Sequence, residues 1–406
     1  MGIVGPIEPL IHVPTARPCL DSRTEAERHG RLRHSEGLRA LIPEAETPIA
    51  AMAGVRAGTW VPTGRSGIYL VREESPNSGS VEKVRHCWVG SLDPSARRFV
   101  PVVSVARDVV DSTANAIRRG GVDPSGIVAL YRDEEHRLEK LIEERQKNSP
   151  IVSLRSPDGT VTRVWHLPQD ESAYVAGVLE ECGGAIVGDV AVYRALVRLR
   201  DAPTIASTVR PAVRFYHQRD FGVSFAPTAR IYRRPLDLNQ TLAELHDRYE
   251  VEEYRVGDSS AWQGFVERVR NDGVVHRAVG LAVRGCSTAF LIRSEEECVQ
   301  LVDHENAPDV ASRFDAEWVE RGVLRRLLDD RIEVDEIEVD LDAVPTRLGF
   351  GSRGFAFIVN PPPKRDIAAL AKEGWRLPAG SLVIRPGIPR GLFLCPLRPA
   401  SATISG

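Results

Sequence analysis

The sequence predicts an α+β protein in two parts. Three observations carry that expectation. The chain has 406 residues, more than the roughly 100–200 of one ordinary domain. Short apolar runs of strand length alternate throughout with longer segments whose apolar residues recur at helical spacing. The texture also changes from Leu238 on, which places a boundary near Arg234–Leu238 and divides the chain into 1–235 and 236–406.

The elements follow in chain order. The first 60 or so residues mix Pro, Gly and charge, with one helical candidate at Glu25–Leu41. Strand-like runs at Gly67–Val71 and Val84–Val89 flank a loop containing Ser75-Pro-Asn-Ser-Gly-Ser80. Asp108–Arg119 reads as a helix, Ile127–Tyr131 as a short buried strand, and Asp133–Lys147 as a charged helix with Leu138, Leu141 and Ile142 on one face. A β-hairpin follows, turning at Ser156-Pro-Asp-Gly159, where Gly159 tolerates positive φ. Glu171–Glu181 is a helix closed by Gly183-Gly184. Ala185–Val187 then reads as a strand, Val190–Arg200 as a helix, and Val213–Tyr216 and Val223–Phe225 as strands.

Beyond the boundary, helices are expected at Thr241–Tyr249, Trp262–Asn271, Trp318–Leu328 and Arg365–Glu373. Strands are expected at Val251–Val256, Ala278–Arg284, Thr288–Arg293 and Gly354–Val359, with a last one, punctuated by Pro and Gly, running through Leu397. The acidic alternation Glu333–Val344 suggests an exposed strand or cap.

Composition excludes several classes. A net charge of −3 gives no field that would gather nucleic acid, although 48 of the 53 basic residues are Arg. Six scattered cysteines (Cys19, Cys87, Cys182, Cys286, Cys298 and Cys395) form no CxxC pair and no zinc-ligand spacing. No apolar run approaches the length of a membrane span, and the first residues lack a signal-peptide pattern, so the expectation is a cytoplasmic protein with no metal. There is no phosphate loop of the GxxxxGK[ST] type, no HExxH and no GxSxG elbow. The glycine-rich stretch 349–354 reads as a hairpin turn rather than a phosphate cradle, and Glu295-Glu296-Glu297 as a solvated helix start. The ten histidines are dispersed, and His166, which alternates with Val164, reads as a sheet-surface residue. The cluster Arg230, Arg233, Arg234 fits either an anion site or a salt network equally well.

The segment Gly354–Phe393 resembles the closing segment of the family known as domain of unknown function ten-fifteen, a ParB/sulfiredoxin-like group that includes free-serine kinases. Asn360-Pro361, Pro378, Ser381, Pro386 and Gly391-Leu392 fall in register with it. Upstream, GIVALYRDEEHRLEKLIE and TLAELHDRYEVEEY are similar to two further segments of that family, so the likeness is spread over most of 67–397. The resemblance implies a ParB/sulfiredoxin-like N-terminal core, a second mixed α/β domain with a C-terminal strand returning to the core, and an ancestry in phosphoryl transfer from a nucleotide or pyrophosphate.

The family's polar motifs are largely missing. Its Pro-His-Glu-x-Thr segment falls on Pro101-Val102-Val103-Ser104-Val105, and its Asp-Gly-His-His-Arg-Tyr signature on Gly188-Asp189-Val190-Ala191-Val192-Tyr193. Its Pro-Thr-His-Arg segment falls on Pro227-Thr228-Ala229-Arg230, and its Lys-Ser-Thr turn on Gly380-Ser381-Leu382. Phosphoryl transfer needs positioned cations, a base and usually a metal, and valine and alanine supply none of these.

The resemblance therefore implies a degenerate kinase relative that binds a small metabolite, a phosphate-bearing ligand or a protein partner. The cofactor is left unknown. The retained or nearby polar residues Ser104, Arg107, Asp189, Tyr193, Arg194, Thr228, Arg230 and Ser381 form the candidate ligand set. A repurposed enzyme acting on an amino-acid-like or phosphorylated metabolite is the alternative. A ParB-like nucleotide or DNA binder is disfavoured, because the charge is near neutral and no basic helix is present.

Overall fold

The computed structural model describes residues 2–12, 60–75, 83–123, 126–156, 159–201, 210–294, 307–328, 334–349, 354–388 and 391–397. The helix expected at Glu25–Leu41, most of the Ser75–Ser80 loop, Glu295–Glu297 and most of 349–354 lie outside them. The fold is α+β, with mixed sheets and helices throughout. The chain forms two compact units, one comprising Met1–Pro101, Val105–Ser224 and Ile384–Gly406, the other Val102–Ser104 and Phe225–Val383.

The first unit is built on β1 (Tyr69–Ser75), β2 (Lys83–Leu92), β3 (Phe99–Pro101), α1 (Arg107–Gly120), β4 (Ile127–Tyr131), α2 (Glu139–Gln146), β5 (Val152–Arg155), β6 (Val161–His166), α3 (Gln169–Cys182), β7 (Gly184–Gly188), α4 (Val190–Arg200) and β8 (Ala212–His217). Its largest sheet runs β3-β7-β4-β8-β2-β1-β6-β5, with Val4–Gly5 alongside β2. Among the described residues of this sheet, only β3–β7 and β4–β8 pair in parallel. A smaller sheet joins Trp60–Pro62, Leu10–His12, Phe393–Pro396 and Val122–Asp123. The central strands are buried on both faces, which is why Ile127–Tyr131 reads as an unbroken apolar run rather than an alternating one.

Helix α1 buries Val110, Ala114 and Ile117, spaced by four and three residues, and packs against α4. It ends where Gly121 turns left-handed at φ 68°. Helix α3 closes on Gly183 at φ 59°, and at Gly184 an added Cβ would come within 2.0 Å of the Leu130 carbonyl oxygen. The pair of glycines therefore marks both the end of a helix and the close seating of β7 beside β4.

One expected helix is shorter than its sequence suggests. Asp133–Lys147 is helical only from Glu139 to Gln146. The Asp133 carboxylate instead accepts from the Leu138 backbone N–H (3.3 Å) and from Arg137 Nε (3.1 Å), and His136 is left-handed at φ 54°. A side chain that captures backbone donors locally competes with the helix it would otherwise start.

The second unit contains β9 (Thr228–Tyr232), α5 (Leu238–His246), β10 (Glu250–Arg255), α6 (Ser259–Val275), β11 (Arg277–Val283), β12 (Thr288–Ser294), β13 (Glu336–Glu338) and β14 (Phe355–Val359). They form one sheet in the order β10-β12-β11-β14-β9-β13, and its described pairings are antiparallel. Both faces are covered. Ala229, Ile231, Ala356 and Ile358 pack with Trp262, Phe265, Val266 and Val269 of α6 on one side. Tyr232, Phe355, Phe357 and Val359 pack with Leu245, Trp318, Val319 and Val323 on the other. The period of two along β9 and β14 thus separates two cores.

Here too the structure departs from the expected regular helix. Trp318–Leu324 is a π turn, and ordinary helix resumes only at Arg325–Leu328. At one sheet edge β10 carries Glu250, Glu252, Glu253 and Arg255, with Glu250, Glu253 and Arg255 exposed.

Candidate functional site

Alternation along β9 turns Thr228, Arg230 and Tyr232 away from the α6 face, toward the π turn. Arg230 is fully buried there. Its Nε donates to Glu320 Oε1 at 3.1 Å, its Nη2 donates to the same oxygen in a shorter bond, and Nη2 also donates to the Ala379 carbonyl at 2.9 Å. The Tyr232 hydroxyl donates to Glu320 Oε1 at 3.1 Å. Burial opposes the Arg230 charge, but the Glu320 carboxylate more than offsets it and the net shift is upward. Thr228 is buried at the head of the strand opposite Val359.

The π turn brings a second carboxyl close to the first. Glu317 is fully buried; its Oε1 accepts from Trp375 Nε1 at 2.7 Å and lies 3.1 Å from Arg321 Nη1. Its other oxygen has no hydrogen-bond partner among the described residues. Burial pushes this carboxyl up to about 7, against the downward pull of Arg321 and the Trp375 hydrogen bond. Arg321 also lies over the Trp375 ring, 4.9 Å from its centroid. The segment after Trp375 carries Ser381, whose hydroxyl donates to the Pro378 carbonyl at 2.7 Å. Within the same unit the backbone N–H of the half-buried Ser104 donates to the Leu377 carbonyl at 2.8 Å.

The remaining candidates belong to the first unit. Arg107 is exposed at the start of α1. Asp189 holds a left-handed conformation, φ 49° and ψ 39°, immediately before α4. Tyr193 is buried on that helix, and burial raises its phenol. Arg194 follows it and is half-buried. Ser104, Thr228, Arg230 and Ser381 thus lie in one unit and Arg107, Asp189, Tyr193 and Arg194 in the other. The Arg230, Arg233, Arg234 cluster does not converge: Arg233 pairs with Glu336 at 2.5 Å, while Arg230 turns inward to Glu320.

Sequence reasoning did not single out a third group. Glu73, Arg85, Arg214 and Tyr216 are buried together inside the large sheet of the first unit. Glu73 sits directly opposite Arg85 in the β1–β2 register and pairs with it, and Arg214 Nη1 reaches the other Glu73 oxygen at 3.1 Å. Arg85 further donates to the Pro386 and Gly387 carbonyls at 2.5 and 2.8 Å. Beside them burial pushes the Cys87 thiol up to about 12, which keeps it unreactive. A charge flanked by apolar residues within a strand, as in AVRFYH, was the available signal.

Among the described residues no group of three or more His, Cys, Asp or Glu is placed to hold a metal ion, and no helix is long and apolar enough to cross a membrane. His166 is half-buried on β6, within 3.1 Å of the Ser66 carbonyl.

No family model and no curated protein matches the chain. Among solved structures it is similar to a conserved hypothetical protein from Pyrococcus furiosus, at 13% identity over 73% of this chain and 90% of that one, with a TM-score of 0.34. It is also similar to a free serine kinase in complex with AMP, at 14% identity over 73% and 87%, with a TM-score of 0.33. At these TM-scores neither likeness defines a shared site, and the functional reading rests on this chain's own residues.

Proposed function

We propose that this protein is a kinase-scaffold relative without phosphotransferase activity, acting by binding a small ligand or a protein partner. One observation carries the reading: Arg230, the cation kept at the family's Pro-Thr-His-Arg position, is fully buried and turned inward, its Nε and Nη2 committed to Glu320 and the Ala379 carbonyl while Nη1 has no hydrogen-bond partner among the described residues. A guanidinium held this way is not aimed at a substrate phosphate. The aliphatic residues that replace the other polar groups support the same reading. Val102, Val103, Val190, Val192 and Ala229 are all buried, so these positions serve packing. Ser381 supports it as well, with its hydroxyl engaged by Pro378.

The test is an assay of free L-serine with ATP, ADP or pyrophosphate as donor. No phosphoserine is expected above the uncatalysed rate, whereas multiple turnovers by purified protein would overturn the reading. A thermal-shift screen with nucleotides, pyrophosphate, phosphoserine and amino acids then separates the two binding roles, because a ligand that binds the folded state raises Tm with the logarithm of its concentration relative to Kd.

A repurposed active site is the second reading. The observation favouring it is Asp189, a non-glycine residue held in the left-handed region ahead of α4, a conformation that costs about 1–3 kcal/mol. Asp189→Gly removes that strain. A variant that is more stable yet loses a ligand-induced Tm shift would favour the rebuilt site.

A further inference from the structure

The segment Trp375–Ser381 lies over the π turn and is held to its own unit at five points, one of them the Ser104 backbone N–H donating to the Leu377 carbonyl at 2.8 Å. Trp375 Nε1 donates to Glu317 Oε1 at 2.7 Å, and Arg321 Nη2 donates to the Arg376 carbonyl at 3.3 Å. Arg230 Nη2 donates to the Ala379 carbonyl at 2.9 Å, and the Leu377 backbone N–H donates to the Val102 carbonyl at 2.9 Å. Three of the five anchors come from the ionisable cluster beneath the segment.

Glu317 is the odd member of that cluster. Arg230, fully buried, and Glu320, half-buried, form a matched pair joined by the Tyr232 hydroxyl. Glu317 is as enclosed as Arg230, yet it has only the partly exposed Arg321 as an ionic partner and one carboxylate oxygen without a hydrogen bond among the described residues. The groups facing it are Arg321 and Glu320 from its own turn, Arg230 from β9, and the Trp375 indole from the segment above. Glu320 repels its charge, while Arg230 is already committed to Glu320.

We propose that Glu317 is the catch of a proton-operated latch: carrying its proton it keeps Trp375–Ser381 seated, and releasing the proton to solvent frees the segment. The physical argument is linkage. A buried carboxyl that holds its proton to about 7 when covered, against 4.5 when solvated, ionises more easily in any state that uncovers it. Ionisation therefore draws the equilibrium toward the uncovered state. The arm directly above the carboxyl is the segment anchored through Trp375. Its release would also remove the carbonyls from Arg230 and Arg321 and open two guanidiniums to solvent. The sign is unusual, because the clasp loosens as pH rises, although the Trp375–Glu317 hydrogen bond alone is better with an ionised acceptor.

The test is amide exchange across 375–381 in the full chain between pH 5.5 and 7.5, with exchange times scaled for the intrinsic pH dependence. In the wild type the opening equilibrium should rise by roughly tenfold per pH unit until it levels off near pH 7. Glu317→Gln, isosteric and uncharged, should show no such rise. Arg321→Gln, at a partly exposed position, should extend the rise to higher pH before it levels off, because it removes the cation that most favours the ionised carboxyl in the covered state. Unchanged protection in the wild type across this range, or a rise that persists in Glu317→Gln or levels off at the same pH in Arg321→Gln, would overturn the latch. Acrylamide quenching of the Trp375 signal, taken as wild type minus Trp375→Phe, supplies a second readout in the native protein. Quenching that stays constant over the same range would equally refute the proposal.

Discussion

Arg230 and Glu320 illustrate how much a single buried pair can decide. Burying each charge is costly, and the other charge together with further donors or acceptors offsets much of that cost. Removing one leaves the other uncompensated. Arg230→Met is expected to lose about 3–5 kcal/mol in urea unfolding, while the double variant Arg230→Met/Glu320→Leu recovers most of that loss. If the single variant matched the wild type, Arg230 would be free for a ligand after all. The sequence identified Arg230 as a residue of interest but not its role. The strand TARIY shows a charge between apolar neighbours, whereas the neutralising carboxylate lies 90 residues away on a turn whose geometry has no local sequence mark. Glu317 was hidden for the same reason, since its environment is made by Trp375, 58 residues downstream.

Elements whose form is set by local chemistry were legible, and those set by distant packing were not. Val190–Arg200 and Ile127–Tyr131 have the expected bounds, because apolar spacing alone defines them. The hairpin β5–β6 and the glycine end of α3 were readable for the same reason, through residues that permit positive φ. The segment 133–147 misled because helix propensity was counted without the Asp133 side chain. The segment 318–328 misled because an extra residue per turn leaves the apolar pattern nearly intact. Gly184 offers a test at this level. A methyl group there would meet the Leu130 carbonyl oxygen, a backbone atom fixed in the neighbouring strand. Gly184→Ala should therefore cost at least the upper end of the ~1–3 kcal/mol typical of overpacking, read as a lower Tm. A change below ~0.5 kcal/mol would mean that β7 can shift away from β4.

Across the whole molecule, buried titratable groups pull stability in opposite directions as pH changes. His86 and His217 are held neutral, first by burial, so their contribution is present at neutral pH and is lost as pH falls below the ordinary imidazole value of 6.5. Glu317 acts the other way. Its folded value lies above its ordinary 4.5, so the folded state retains a proton that the unfolded chain gives up, and stability declines as pH rises from about 4.5 to about 7. The cleanest measurement is the difference between Glu317→Gln and wild type. Chemical denaturation should show the variant gaining with pH through that window, by up to a few kcal/mol at pH 8, limited by the cost of local opening. A constant difference from pH 5 to pH 8 would contradict the assignment.

The acidic edge strand β10 has a consequence for chains in company. A sheet that ends in open backbone donors and acceptors invites another strand to join, which is the usual first step toward fibrils. A second copy docking in parallel, in-register fashion on Glu250–Arg255 would set Glu253 against Glu253 and strip water from it. The six-stranded sheet therefore carries at that edge a barrier of its own to growth in that register.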